Sequence, residues 1–195
     1  MELFKGMDWG AYYAFRYEAN RLPSLTELME AGNWLGTYLA VAILLVAALI
    51  LAPQPGRRRM AFVVVVTFLV GCLLVEGVNA ATQRPRPADA ENVVGAEAMF
   101  SSFPARAVFL AAFAWLMLAQ ALERRCHGKG MRAAVYGIAI LGMVFVCISQ
   151  LWFGLHWVTD VLAGLAGGVG LGLIARWGAT VPRGDPQGSS THPAA

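Results

Sequence analysis

Apolar residues along this chain neither alternate nor recur every third or fourth position; they come in long uninterrupted runs. Asn33 to Ala52 carries no charge, Met60 to about Ala81 is broken only by Glu76, and Ala107–Leu122, Ala133–Trp152 and Trp157–Trp177 complete the series. A hydrocarbon core ~30 Å thick needs ~20 apolar residues of helix to cross it. Runs this continuous do not fit the alternating strands of a barrel, the other architecture that satisfies its backbone in lipid. The pattern predicts an all-α fold, a polytopic transmembrane helical bundle with about five spans between residues 33 and 180.

The flanks differ. Residues 1–32 mix Phe4, Trp9, Tyr12, Tyr13, Phe15 and Tyr17 with Asp8, Arg16 and Glu18, the pattern of an amphipathic helix lying at the membrane interface. Arg21-Leu22-Pro23 breaks it, and Ser24 with Glu27 predicts a capping box that opens a second short helix. Residues 181–195 hold Pro, Gly, Ser and Thr with little to bury, and are expected to form a disordered cytoplasmic tail.

Basic residues cluster after the first run (Arg57, Arg58, Arg59), after the third (Arg124, Arg125, Lys129, Arg132) and after the fifth (Arg176, Arg183). The positive-inside bias puts these segments in the cytoplasm and the N-terminal segment, the loop from Thr82 to Arg106 and the turn before Trp157 outside. With 58% apolar and 14% charged residues and a mean hydropathy of +0.58, the net charge of +3 is this topological bias. It gives no warrant for nucleic-acid binding. Cys72, Cys126 and Cys147 lack metal-ligand spacing, and neither a metal nor another cofactor is called for. Gly164, Gly168 and Gly172 make one smooth helix face, suited to close packing within the chain or to a homo-oligomer or membrane-protein partner.

Candidate chemistry collects at the outer boundary. Arg84-Pro85-Arg86-Pro87 leaves the second run, Phe103-Pro104-Ala105-Arg106 enters the third, and His156 and Asp160 open the fifth. Arginines beside an imidazole at a membrane surface suit a lipid-anchored phosphate. His156 and Asp160 stand four apart on a helix, so the carboxylate is in reach of one ring nitrogen and leaves the other free; an Asp in a first turn can equally be a helix cap. Glu76, ionisable within a span, is read as a structural ion-pair partner of Arg84 or Arg86.

These segments resemble the motifs of the type-2 phosphatidic acid phosphatases: Lys, six residues, Arg-Pro; then Pro-Ser-Gly-His; then Ser-Arg, five residues, His, three residues, Asp. Here the first runs from Asn79 to Arg86-Pro87, the second reads Pro104-Ala105-Arg106-Ala107, and the third runs from Ser149-Gln150 to His156 and Asp160 with its spacing intact. The resemblance implies metal-free hydrolysis of lipid phosphate esters through a phosphohistidine. It assigns His156 as nucleophile, Asp160 as its orienting partner and Arg86 as a phosphate clamp.

The departures are as informative. Asn79 stands at the lysine position, Ala105 at the serine, Ala107 at the general-acid histidine and Gln150 at the arginine. General acid catalysis is worth ~10²- to 10⁴-fold and a positioned electrostatic donor ~10²- to 10³-fold. Arg84 and Arg106 are cations near the gaps, and Asn79 and Gln150 can still donate hydrogen bonds without charge. The expectation is a degenerate active site, a pseudoenzyme that binds a phospholipid or polyprenyl phosphate in a bacterial inner membrane, on the extracytoplasmic side, with hydrolysis weak or lost. An active lipid phosphate or pyrophosphate phosphatase and a structural or transport subunit with a vestigial pocket are the alternatives. A shared pocket requires Arg86 and His156 on one face, within about 15 Å.

Overall fold

The computed structural model describes residues 2–51, 57–87 and 101–180. The expected tail, residues 181–195, lies outside them, as do Ala52 and most of the loop between Thr82 and Arg106. Seven α-helices are present among the described residues: α1 (Glu2–Arg21), α2 (Thr26–Leu35), α3 (Tyr38–Leu51), α4 (Arg57–Thr82), α5 (Arg106–Glu123), α6 (Lys129–Trp152) and α7 (Val158–Thr180). Helices α4 to α7 are long and apolar enough to cross a membrane, and the molecule is an all-helical integral membrane protein.

The first apolar run is divided between two helices among the described residues. Asn33, Trp34 and Leu35 close α2, the chain turns at Gly36 and Thr37, and α3 supplies only 14 residues. At 1.5 Å per residue these reach ~21 Å, short of a ~30 Å core. The turn is tightened by Gly36 N–H to Asn33 O at 3.1 Å and Thr37 N–H to Trp34 O at 2.9 Å. Here the corner presses against the start of α5: a Cβ on Gly36 would lie 2.9 Å from the Cβ of Ala107. Hydropathy does not register such a turn, because Gly and Thr interrupt an apolar run without adding charge.

Helix α5 is the hub. In its span window 67% of residues are buried, against 17% in α4, so α4 turns most of its surface to lipid. On one side Phe109, Leu110, Phe113, Ala114 and Met117 meet Val41, Leu45 and Ala48 of α3 and Val64 and Val75 of α4. On another, the glycines of α7 let its backbone approach: a Cβ on Gly164 would sit 2.6 Å from the carbonyl oxygen of Ala105, one on Gly172 2.7 Å from Leu116, and one on Gly168 would collide with the Phe109 carbonyl. Of the two uses read for the face of Gly164, Gly168 and Gly172, packing within the chain is the one the structure shows, against α5.

The N-terminal segment folds as two helices broken at Leu22, with a 3₁₀ turn over Pro23–Leu25. The capping box does not form: Leu25 is the N-cap of α2 and no side-chain cap bond is made, because Pro23 draws Ser24 into the 3₁₀ turn. Helix α1 packs against α6 and α7 and leaves Phe4, Trp9, Tyr13 and Tyr17 exposed, an aromatic face of the kind found at membrane interfaces. Asp8, expected among its surface charges, is instead 2% exposed.

Candidate functional site

Four chain ends converge at one end of the bundle: the C-termini of α4 and α6 and the N-termini of α5 and α7. The opposite end is marked by Arg59, whose Nη2 donates to Gly178 O at 2.9 Å and joins the start of α4 to the end of α7.

Helix α4 stops where Gln83 takes a left-handed φ of 45°. Pro85 and Pro87 fix their own φ and push Arg84 and Arg86 toward extended, polyproline-like backbone. The strip of chain pairs with the second motif. Ser102 N–H donates to Arg84 O at 2.9 Å, and Arg84 N–H donates to Ser101 Oγ at 3.0 Å. Helix α6 ends in a Schellman turn: Leu155 N–H bonds Gln150 O at 3.0 Å, Gly154 N–H bonds Leu151 O at 3.1 Å, and Gly154 supplies the φ of 64°. That reversal carries His156 back over the bundle, against Ser102 and Arg86.

His156 is 6% exposed, and its Nδ1 lies 2.7 Å from the carbonyl oxygen of Ser102. A carbonyl only accepts, so Nδ1 carries the proton and the Nε2 lone pair is bare. Arg86 Nη1 stands 3.3 Å from that Nε2 while donating to Leu155 O at 2.9 Å. Burial first, and the Arg86 charge second, push the His156 pKa down to about 3, so the imidazole is neutral at physiological pH.

Asp160 does not orient His156 by a hydrogen bond, contrary to the role implied by the resemblance: its Oδ2 is 3.9 Å from His156 Nδ1. Oδ2 instead accepts from Trp157 N–H at 3.0 Å, the reach-back half of a capping box at the start of α7. Oδ1 takes Arg84 Nη1 at 2.5 Å. The Ser102 carbonyl occupies the position at Nδ1 that was assigned to the carboxylate.

Arg84 is also corrected. Besides Asp160 it meets Asp8 Oδ2 at 2.5 Å and Thr159 Oγ1 at 2.7 Å, and Asp8 in turn accepts from Thr159 N–H at 3.0 Å and Thr159 Oγ1 at 2.8 Å. Its charge ties α1, the α4 exit and α7 together and is directed away from His156. A cleft of about 700 Å³ opens on this side, between Phe4, Met7 and Leu162. It is larger than the cavity at His156 and is lined by Lys5 and Arg84, but the Arg84 guanidinium already faces carboxylates, Asp8 is itself on the wall, and no imidazole is among its lining residues.

The better-suited cavity has about 270 Å³ and is lined by Arg86, Arg106, Ala107, Gln150 and His156 together with Asn33, Gly36, Thr37, Leu110 and Leu155. The first turn of α5 lies on its wall, with backbone N–H groups that no preceding turn can pair. Gln150 is held by its Nε2 donating to Asn33 Oδ1 at 2.8 Å. Arg106 bonds Glu76 at 2.9 Å across the exposed edge, which corrects the expected pairing of Glu76 with Arg84 or Arg86. Asn79 and Ala105 are not on this cavity. Asn79 donates to Val75 O at 3.0 Å and to Pro104 O at 3.4 Å, because a mid-helix amide can turn back on its own backbone. Ala105 is fully buried, its N–H bonded to Asp160 O at 3.0 Å.

Asn33, Thr37 and the Ser102 carbonyl did not figure as site groups in the sequence reading. Asn33 and Thr37 flank the glycine corner at the edge of an apolar run, which is the one signal that could have raised them. A carbonyl leaves no residue-type signal at all.

A helical bundle brings an imidazole and a guanidinium together over a cavity at the end of its spans. The profile of the PAP2 superfamily matches residues 59–181, and the chain belongs to that superfamily. A crystal structure of a transmembrane PAP2-type phosphatidylglycerolphosphate phosphatase from Bacillus subtilis shares the fold, with a TM-score of 0.73 at 24% identity over 91% of this chain and 86% of that one. Comparison with curated proteins returns no match.

Proposed function

We propose that this protein binds the phosphate of a membrane lipid in the His156 cavity, with Arg86 as the main cation, and that its hydrolysis of alkyl phosphates is weak or lost. One observation carries the reading: among the described residues lining the cavity there is no carboxylic acid, lysine, cysteine, tyrosine or second histidine to serve as an acid beside His156, the residue in the nucleophile's position. The position of the family's acid is Ala107, and the position of its third-motif arginine is Gln150. An alkoxide leaves poorly without a proton, and the missing acid alone corresponds to ~10²- to 10⁴-fold in rate. Binding is less affected. Arg86, Arg106, the first turn of α5 and the Gln150–Asn33 amides supply donors for phosphate oxygens. The basic loops at the opposite end support an extracytoplasmic location for the cavity.

A second reading is favoured by the histidine tautomer. With the proton fixed on Nδ1, Nε2 can attack phosphorus; as the Nε2–P bond forms, the P–O bond to the leaving group breaks, and water later releases phosphate. From a polyprenyl pyrophosphate the leaving group is the polyprenyl monophosphate, a stabilised anion that needs no proton, so residual turnover belongs to polyprenyl pyrophosphates.

The test is phosphate release in liposomes from phosphatidic acid, a polyprenyl phosphate and a polyprenyl pyrophosphate, beside binding of each. Saturable binding with turnover near background for the first two supports the proposal. Asn79→Lys, Ala105→Ser, Ala107→His and Gln150→Arg together should raise hydrolysis by several orders of magnitude, and His156→Ala should abolish the gain. If the unaltered chain already matches the restored rate, the substitutions are not disabling and the proposal fails.

A further inference from the structure

At the end of the bundle opposite His156, three helices enclose a second polar cavity, of about 170 Å³, lined by Gln120 and Glu123 of α5, Arg124 at its C-cap, Arg132 of α6 and Arg176 of α7. One of its cations is already ordered: Arg176 Nη1 donates to Glu123 Oε2 at 3.2 Å and to Tyr136 Oη at 3.0 Å, while the Tyr136 hydroxyl donates to the same carboxylate oxygen at 2.7 Å. The guanidinium groups of Arg124 and Arg132 also stand on the wall, with Arg132 in electrostatic reach of Glu123. Glu123 offsets one of the three positive charges on the wall, so the cavity keeps an excess of positive charge. Buried Gln120 reaches across to Gly172 O at 3.5 Å and closes the floor.

From this we infer that the cavity is an anion site, built for the phosphate of an anionic phospholipid headgroup or the same group as a free ion. Surface arginines placed only for topology would have no reason to converge from three helices on one concavity. Roughly 10–15 Å³ of such volume holds a water, so the space is ample for a phosphate. Arg176, pre-oriented by Glu123 and Tyr136, supplies a fixed donor, and Arg124 and Arg132 close on the remaining oxygens. Basic pockets between spans at this kind of face suit lipid headgroups. The inference does not depend on the function proposed for the His156 cavity.

The experiment uses full-length protein carrying Arg86→Ala, which silences the His156 cavity, purified in neutral detergent so that topology is not at issue. Phosphatidylglycerol, phosphatidylcholine and inorganic phosphate are titrated in turn, with bound species counted by native mass spectrometry. Arg124→Gln with Arg132→Gln, both at exposed positions, should weaken phosphatidylglycerol about 30-fold, the equivalent of about 1 kcal/mol for each arginine. Arg125→Gln with Lys129→Gln removes the same charge from the same loop outside the cavity and should leave binding within about twofold of the parent, if the effect is local and not a property of the loop's net charge. Inorganic phosphate binding with the same dependence assigns the free ion, and lipid binding alone assigns the headgroup; either supports the site. Equal losses in both double variants, or none in the first, or phosphatidylcholine bound as tightly as phosphatidylglycerol, would overturn it.

Discussion

Arg84 and Arg86 are separated by one proline and have opposite fates. In a polyproline-like strip, three residues make one turn, so positions two apart point in different directions. Arg84 swings toward α1 and α7 and is enclosed by Asp8, Asp160 and Thr159. Arg86 swings toward the cavity, where it meets the Leu155 carbonyl and the bare His156 nitrogen, neither carrying a charge. A cation facing carboxylates is a fastener. One that lines a cavity beside an imidazole is placed to meet an anion there, and its neighbour Nε2 is deprotonated partly because that positive charge stands there.

The sharpest way to break this contrast is to remove each arginine and read stability and binding together. Arg84→Ala leaves the buried carboxylates of Asp8 and Asp160 without their cation, and a loss of about 3 kcal/mol is expected. Thermal unfolding in detergent should report it, and Asp8→Asn in the same background should recover part of it. Arg86→Ala should cost about 1.5 to 3 kcal/mol of lipid-phosphate binding and less stability than Arg84→Ala, because it leaves no buried carboxylate without its cation. If the two variants behave alike in both measurements, the division of labour is wrong.

The smallest effect sharpens the contrast through pH. His156 has a folded-state pKa far below its unfolded value, so its neutral form favours the fold. That contribution is complete above about pH 6.5, the unfolded value, and is lost as pH falls toward about 3. A nitrogen-detected titration should find the imidazole neutral with its proton on Nδ1 from pH 8 down to about pH 4. Adding a non-hydrolysable lipid phosphate should move the titration upward, because the anion offsets Arg86. A midpoint near 6.5 without ligand would mean that His156 is neither buried nor beside a cation.

Much of the bundle was legible because its signal is additive. Long apolar runs predict α4 to α7 with small errors at their ends, and Arg21-Leu22-Pro23 predicts the break after α1. What escaped depends on single contacts. The corner at Gly36-Thr37 costs hydropathy almost nothing, so α2 and α3 merged into one predicted span and Asn33 lost its place beside Gln150. Asp8 looked like an interfacial charge because nothing local reveals a partner 76 positions further along the chain. In the site, the spacing from His156 to Asp160 reads equally as an orienting pair or as a cap, and the deciding group is a carbonyl contributed by Ser102, invisible to any reading of side chains.

The seam between α5 and α7 has a consequence for how this chain can drift. No carbon can be added at Gly164, Gly168 or Gly172 without moving a neighbouring carbonyl or side chain, and the Ala105 to Asp160 backbone bond sits at the top of that contact. The second and third motifs are thereby positioned by helix-to-helix distance and not by the groups that do chemistry. A frame held in this way does not rely on the side chains at Ala107 and Gln150 for the helix spacing, so residues grafted at those positions should leave the placement of His156 intact.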